Sequence, residues 1–103
     1  MEKEKLVILL TTSPEHENTH TVTQLAQAAL ALGKEVAIFL MCDGAYNLNL
    51  PSFCALHQEG AEITLCSLNA SQRKITFPWP EASGSQYDLA EWAHECGRFL
   101  AFT

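Results

Sequence analysis

Gly33-Lys34-Glu35-Val36-Ala37-Ile38-Phe39-Leu40-Met41-Cys42-Asp43-Gly44 carries the clearest architectural signal in the chain. Val36 to Cys42 is a continuous apolar run, not an alternating one. Such a run suits a strand covered on both faces, as in a parallel sheet between helices. Gly33 in front of it suits the left-handed conformation that closes a last helical turn. Asp43-Gly44 behind it is a turn signal at the strand's carboxyl end. The expected strand is Glu35–Cys42.

Outward from there the same punctuation recurs. Gly60 and Gly97 each follow a segment that reads as a helix and precede another apolar run. Leu6 to Leu10 is continuous and predicts a strand over Leu6–Thr11; Ile63 to Cys66 predicts one over Glu62–Cys66, and Phe99 to Phe102 a last one. Residues 19–32 carry Val22, Leu25, Ala26, Ala29 and Leu32 on one helical face. Residues 52–59 form a short helix with Phe53 and Leu56 inward. Residues 85–96 place Leu89, Trp92, Ala93 and Cys96 together, with Ser85 and Asp88 as a start signal. Strand, helix, glycine, strand is the rhythm of an α/β fold, and right-handed crossovers make the first three strands parallel neighbours. Residues 67–84 are least regular. Asn69 to Lys74 reads as one or two helical turns, Ile75 to Phe77 as a minor strand, and Pro78-Trp79-Pro80 as a break.

Composition narrows the function. The chain has 103 residues, which predicts a single domain over 1–103; 48% are hydrophobic and 17% charged, which excludes a disordered chain. Six Lys and Arg against twelve Asp and Glu give a net charge of −6, so no nucleic-acid partner is expected. The run Leu6–Leu10 is too short for a signal-peptide core or a membrane span, so no membrane partner is expected and the expected location is cytoplasmic. Cys42, Cys54, Cys66 and Cys96 are then reduced thiols.

In open parallel sheets reactive groups gather beyond the carboxyl ends of the strands. The segment Thr11 to His20 carries no phosphate-loop glycines, which argues against a nucleotide enzyme. Cys66 closes a strand and precedes Ser67-Leu68-Asn69-Ala70-Ser71-Gln72-Arg73. Should that segment begin a helix, free N–H groups and Arg73 would favour a thiolate, the form that attacks sulfur; the alternative is a small buried hydrophobe. Cys42, Cys54 and Cys96 read as core residues. Cys54 with His57, or His16 with His20, does not complete a tetrahedral zinc set, so no metal is expected. His94 reads as a solvated helix residue. Asp43-Gly44 projects at the same sheet edge as Cys66, as a turn or as part of a site.

Taken in order, Leu6–Leu10, Thr11-Thr12-Ser13-Pro14-Glu15, the Leu/Ala helix, Gly33–Leu40 and Asp43-Gly44 resemble the DsrE/DsrF-like sulfur-relay family. Gly60–Cys66 with Arg73 seven residues on is similar to that family's reactive-cysteine segment, and Tyr87–Trp92 through Arg98–Phe102 to its last helix and strand. The resemblance implies a three-layer α/β/α sandwich with a mostly parallel five-stranded sheet, assembled as homo- or hetero-oligomers. It also implies sulfane sulfur carried as a cysteine persulfide between donor and acceptor proteins. Cys66 falls on the carrier position. Where some members have a second cysteine and a later glycine, this chain has Asn69 and Lys74, which leaves a one-cysteine carrier.

The expectation is therefore a persulfide carrier on Cys66, with Arg73, Asp43, Gly44 and Asn69 supporting and no cofactor. Its alternative is a non-catalytic subunit or a regulatory or small-ligand-binding module of the same fold. A carrier predicts a partly accessible, electropositive Cys66 that alkylates faster than the other cysteines, with the Asp43 carboxylate turned away from it or serving a later proton transfer. Leu48, Leu50, Phe77 and Trp79 fall outside regular elements and predict apolar surface for a homo-oligomer.

Overall fold

The three apolar runs form the centre of the sheet. A computed structural model describes residues 5–79 and 82–103. In it β1 (Lys5–Leu10), β2 (Glu35–Leu40) and β3 (Glu62–Cys66) lie side by side. All pair in parallel, with Leu6 opposite Val36 and Leu40 opposite Leu65. β4 (Ser83–Gly84) adds to β3 and β5 (Arg98–Phe102) to the free side of β1. The order is β4-β3-β2-β1-β5, all parallel; the five strands and the parallel adjacency of the first three are as expected.

Between the strands run α1 (Asn18–Ala31), α2 (Pro51–Gln58), α3 (Ser67–Gln72) and α4 (Gln86–Glu95). The chain steps from β1 to β4 in one direction and then jumps back across the sheet to β5. Right-handed crossovers therefore send α4 to the face opposite α1 and α2. Strand alternation agrees. Leu6, Ile8, Leu10, Val36, Ile38, Leu40, Ile63 and Leu65 share one core with Val22, Ala26, Phe53, Leu56 and Ala70. Phe39, on the other face, meets the Trp92 ring of α4 edge-on at 5.9 Å.

Four expectations need correction. β2 ends at Leu40 instead of Cys42: Met41 is still extended, but Cys42 has φ +52° and turns the chain into a 3₁₀ segment, Cys42–Asn49. Residues 75–77 form no strand; the minor strand is Ser83–Gly84, because the left-handed Lys74 folds the chain back so that the Ile75 N–H bonds Ala70 C=O at 3.0 Å and Ile75 is buried against the core instead of joining the sheet. Pro80, part of the expected break, lies outside the described residues. Helix α4 starts as expected, with a capping box between Ser85 and Asp88, yet it buries none of its residues. Finally, Leu48 is buried and Leu50, Phe77 and Trp79 pack on the core; the exposed apolar groups are Leu32, Leu68, Tyr87, Phe99 and Leu100.

No helix among the described residues is long and apolar enough to cross a membrane.

Candidate functional site

The carboxyl ends of β2 and β3 are tied together by two contacts. The Cys42 backbone N–H donates to Asn69 Oδ1 at 2.9 Å, and Arg73 Nε donates to Asp43 Oδ1 at 3.0 Å. Both join the 3₁₀ segment after β2 to α3. Cys66 is the last residue of β3 and stands immediately before α3, so the expected helix does begin there. The structure thus brings Cys42, Asp43, Asn69 and Arg73 into contact at the edge where Cys66 ends its strand.

Gly44 belongs to the same construction. Its N–H bonds Thr11 C=O at 3.1 Å, and a Cβ placed on it would fall 2.1 Å from the Leu10 carbonyl oxygen. Only glycine lets the 3₁₀ segment press this close to the end of β1. Asn47 holds the segment from inside. It is fully buried, accepts from Thr19 Oγ1 at 2.6 Å, and donates through Nδ2 to Thr12 C=O at 3.0 Å and Gly44 C=O at 2.9 Å. Nothing in the sequence singles out Asn47; an asparagine shortly after a turn is unremarkable.

Three features of the site differ from expectation. Cys66 is 4% exposed, not partly accessible, because alternation along β3 turns its side chain into the sheet face with Thr64, and Gly84 of β4 flanks it. Cys42 is exposed, although it was expected to be core. Its left-handed φ is the reason. An extended residue at this point would carry its Cβ on the Leu40 side, toward α1 and α2. At φ +52° the Cβ lies on the other side of the preceding peptide plane, the side toward which Cys66 points.

The local charge is also mixed instead of electropositive. Arg73 is paired with Asp43, whose carboxylate is thereby turned toward the guanidinium. Glu15 is close enough to feel Asp43: a hydrogen bond from Ser13 holds its carboxyl below the usual range, and the Asp43 charge slightly opposes this.

The remaining candidates lie elsewhere. Cys54 donates its S–H to Leu48 C=O at 3.2 Å, and burial pushes its thiol pKa up. His57 stacks flat on Trp79, with ring centroids 3.9 Å apart. His94 is exposed. Among the described residues no group of three or more His, Cys, Asp or Glu could hold a metal ion.

An all-parallel five-stranded sheet with helices on both faces and polar groups gathered beyond its carboxyl ends defines an α/β protein of the open-sheet class. The sequence profile of the DsrE/DsrF-like family matches residues 4–102, and the chain belongs to that family. Solved structures share the fold, the following two among them. The YchN protein of E. coli superposes with a TM-score of 0.81 at 21% identity, over 96% of this chain and 99% of that one. BT1422 of Bacteroides thetaiotaomicron, a conserved protein of unknown function, gives 0.68 at 18% identity, over 96% and 95%. No curated protein matches the chain in sequence.

Proposed function

We propose that the chain is a sulfur-relay protein that carries sulfane sulfur as a persulfide on Cys66 between a donor and an acceptor protein. The observation that carries this reading is the place of Cys66 within a DsrE/DsrF-like chain: it ends a central strand at the edge where Asp43, Asn69 and Arg73 meet. In the transfer, the Cys66 thiolate attacks the outer sulfur of a donor persulfide. The donor thiolate leaves, and Cys66–S–SH later surrenders its outer sulfur to an acceptor thiolate. Thiolate fraction and leaving-group acidity set the rates, as in thiol–disulfide exchange. These steps use no metal and no organic cofactor.

At 4% exposure, Cys66 can meet a donor only after the chain around the end of β3 opens locally. The Asp43–Arg73 pair, one of the contacts at this edge, is at the surface, and pairs of this kind contribute about 0–1 kcal/mol. The same reading has the chain working in the cytoplasm as a homo-oligomer. Leu32 at 75%, Leu100 at 40% and Phe99 at 39% exposure supply apolar surface for self-association.

The burial of Cys66 also favours a second reading, a non-catalytic subunit in which the thiol only packs. Mass spectrometry after incubation with a sulfane-sulfur donor separates the two. A carrier gains about 32 Da per chain, one sulfur atom, and Cys66→Ser loses that gain with its far-ultraviolet circular dichroism intact. Equal uptake by Cys66→Ser would remove Cys66 from the carrier role; no uptake by the wild type would leave the packing reading.

A further inference from the structure

Cys42 is an exposed thiol in a conformation that cysteine rarely adopts, beside a buried thiol on the next strand. Leu40 and Leu65 are Cα partners in the parallel ladder, so Met41 stands at the level of Cys66 and Cys42 one residue beyond. Met41 is still extended, which keeps Cys42 in line with β2. A strand spacing of about 4.8 Å and a rise of about 3.3 Å put the two cysteine Cα atoms about 6 Å apart. Disulfide-bonded cysteines have Cα separations of about 4.4–6.8 Å. Separation alone is not enough, because a regular strand would point Cys42 and Cys66 to opposite faces. The φ of +52° reverses the side chain of Cys42 and gives both thiols the same face. Asn69, three residues after Cys66, accepts the Cys42 N–H and fixes this turn against α3.

We propose that Cys42 is a resolving thiol, which discharges a sulfur held on Cys66 when no acceptor takes it. The inference rests on the carrier reading above. The Cys42 thiolate attacks the inner sulfur of Cys66–S–SH, which is Cys66 Sγ. A Cys42–Cys66 disulfide bond forms, and the bond from Cys66 Sγ to the outer sulfur breaks. The outer sulfur leaves with the electron pair as hydrosulfide and takes up the proton that Cys42 gave up. The sulfane sulfur is reduced by two electrons, and the two cysteines are oxidised to the disulfide, so no other oxidant enters. Hydrosulfide is the conjugate base of a stronger acid than a cysteine thiol, which makes it the better leaving group. A small dithiol then returns the chain to its starting state.

The test is to load the protein with a sulfane-sulfur donor, remove the excess, and follow mass and hydrosulfide with time. The wild type should lose the added sulfur, release one equivalent of hydrosulfide, and finish about 2 Da below the reduced mass, with peptide mapping linking Cys42 to Cys66. Cys42→Ser should trap the gain of about 32 Da on Cys66 and release at least tenfold less hydrosulfide. Cys42→Gly, which relieves the left-handed strain while removing the thiol, should trap it equally, so a folding defect of the serine variant cannot imitate the result. Should all three proteins hold the sulfur equally long, or should Cys66 pair with Cys54 or Cys96, the resolving role falls while the carrier reading stands. Should neither the wild type nor Cys42→Ser take up sulfur, both fall together.

Discussion

Thr19 and Asn47 share a hydrogen bond of 2.6 Å between two buried side chains, 28 residues apart. Through it α1 grips the 3₁₀ segment that carries Cys42 and Asp43. The other two bonds of Asn47 fasten that segment to Thr12 and to itself at Gly44. The positions of the site residues therefore depend on one amide that takes no part in the chemistry.

Asn47→Ala removes all three bonds and leaves the Thr19 hydroxyl and two carbonyls without this partner. A loss of about 2–4 kcal/mol is expected in urea unfolding, since each unsatisfied buried group costs about 1–3 kcal/mol and part is recovered by relaxation. A loss below about 1 kcal/mol would mean that water replaces the amide without difficulty.

Gly44 and Gly33 should respond very differently to alanine. At Gly44 the new Cβ would strike the Leu10 carbonyl, a backbone atom that cannot move without disturbing β1. The expected cost exceeds about 3 kcal/mol. At Gly33 nothing lies within 4 Å, and only φ +78° resists the substitution, for about 1 kcal/mol. Paired unfolding curves check the ranking, and equal losses would refute the close approach at Gly44.

Native alkylation should mark Cys42 first and Cys66 last, the reverse of what the sequence suggests for a carrier, because Cys42 is exposed and Cys66 buried. Arg73→Ala unties α3 from Asp43 and should speed alkylation of Cys66 by up to about fivefold, equivalent to about 1 kcal/mol of surface ion pair. Peptide mapping at short reaction times reads both. An unchanged Cys66 rate would show that α3 is not the barrier.

Cys54 gives the chain an alkaline liability. Burial raises its folded-state pKa above that of the unfolded thiol, about 8.5, so the unfolded chain loses this proton first as pH rises. The stabilisation is complete below the unfolded pKa and is lost as pH climbs through the folded one. Between about pH 7 and pH 10.5 the urea midpoint of the wild type should fall more than that of Cys54→Ala. Parallel curves would assign the decline to other groups.

Much of the fold was legible because it rests on local and periodic signals. Val36–Leu40 must be covered on both faces whatever surrounds it, and Ser85 with Asp88 caps α4 through a bond that spans three residues. Periodicity failed where it had to stand for burial. Leu32 continues the apolar face of α1 yet is 75% exposed, and α4 has an apolar face of which Leu89, Trp92 and Cys96 are only half-buried. Whether a stripe is covered depends on what the sheet brings opposite it, and β5, at the edge, offers little.

The parallel α/β class, the family, and the gathering of Cys66, Asp43, Asn69 and Arg73 beyond the strand ends were already written in the chain, since continuous strands and right-handed crossovers leave few alternatives. Tertiary structure alone decided which thiol faces solvent. That outcome turns on a single dihedral at Cys42, on Gly44 pressed against Leu10, and on Asn47 bonded to Thr19. Each of these joins residues distant in sequence or reverses the alternation of a strand, and neither leaves a periodic trace in the chain.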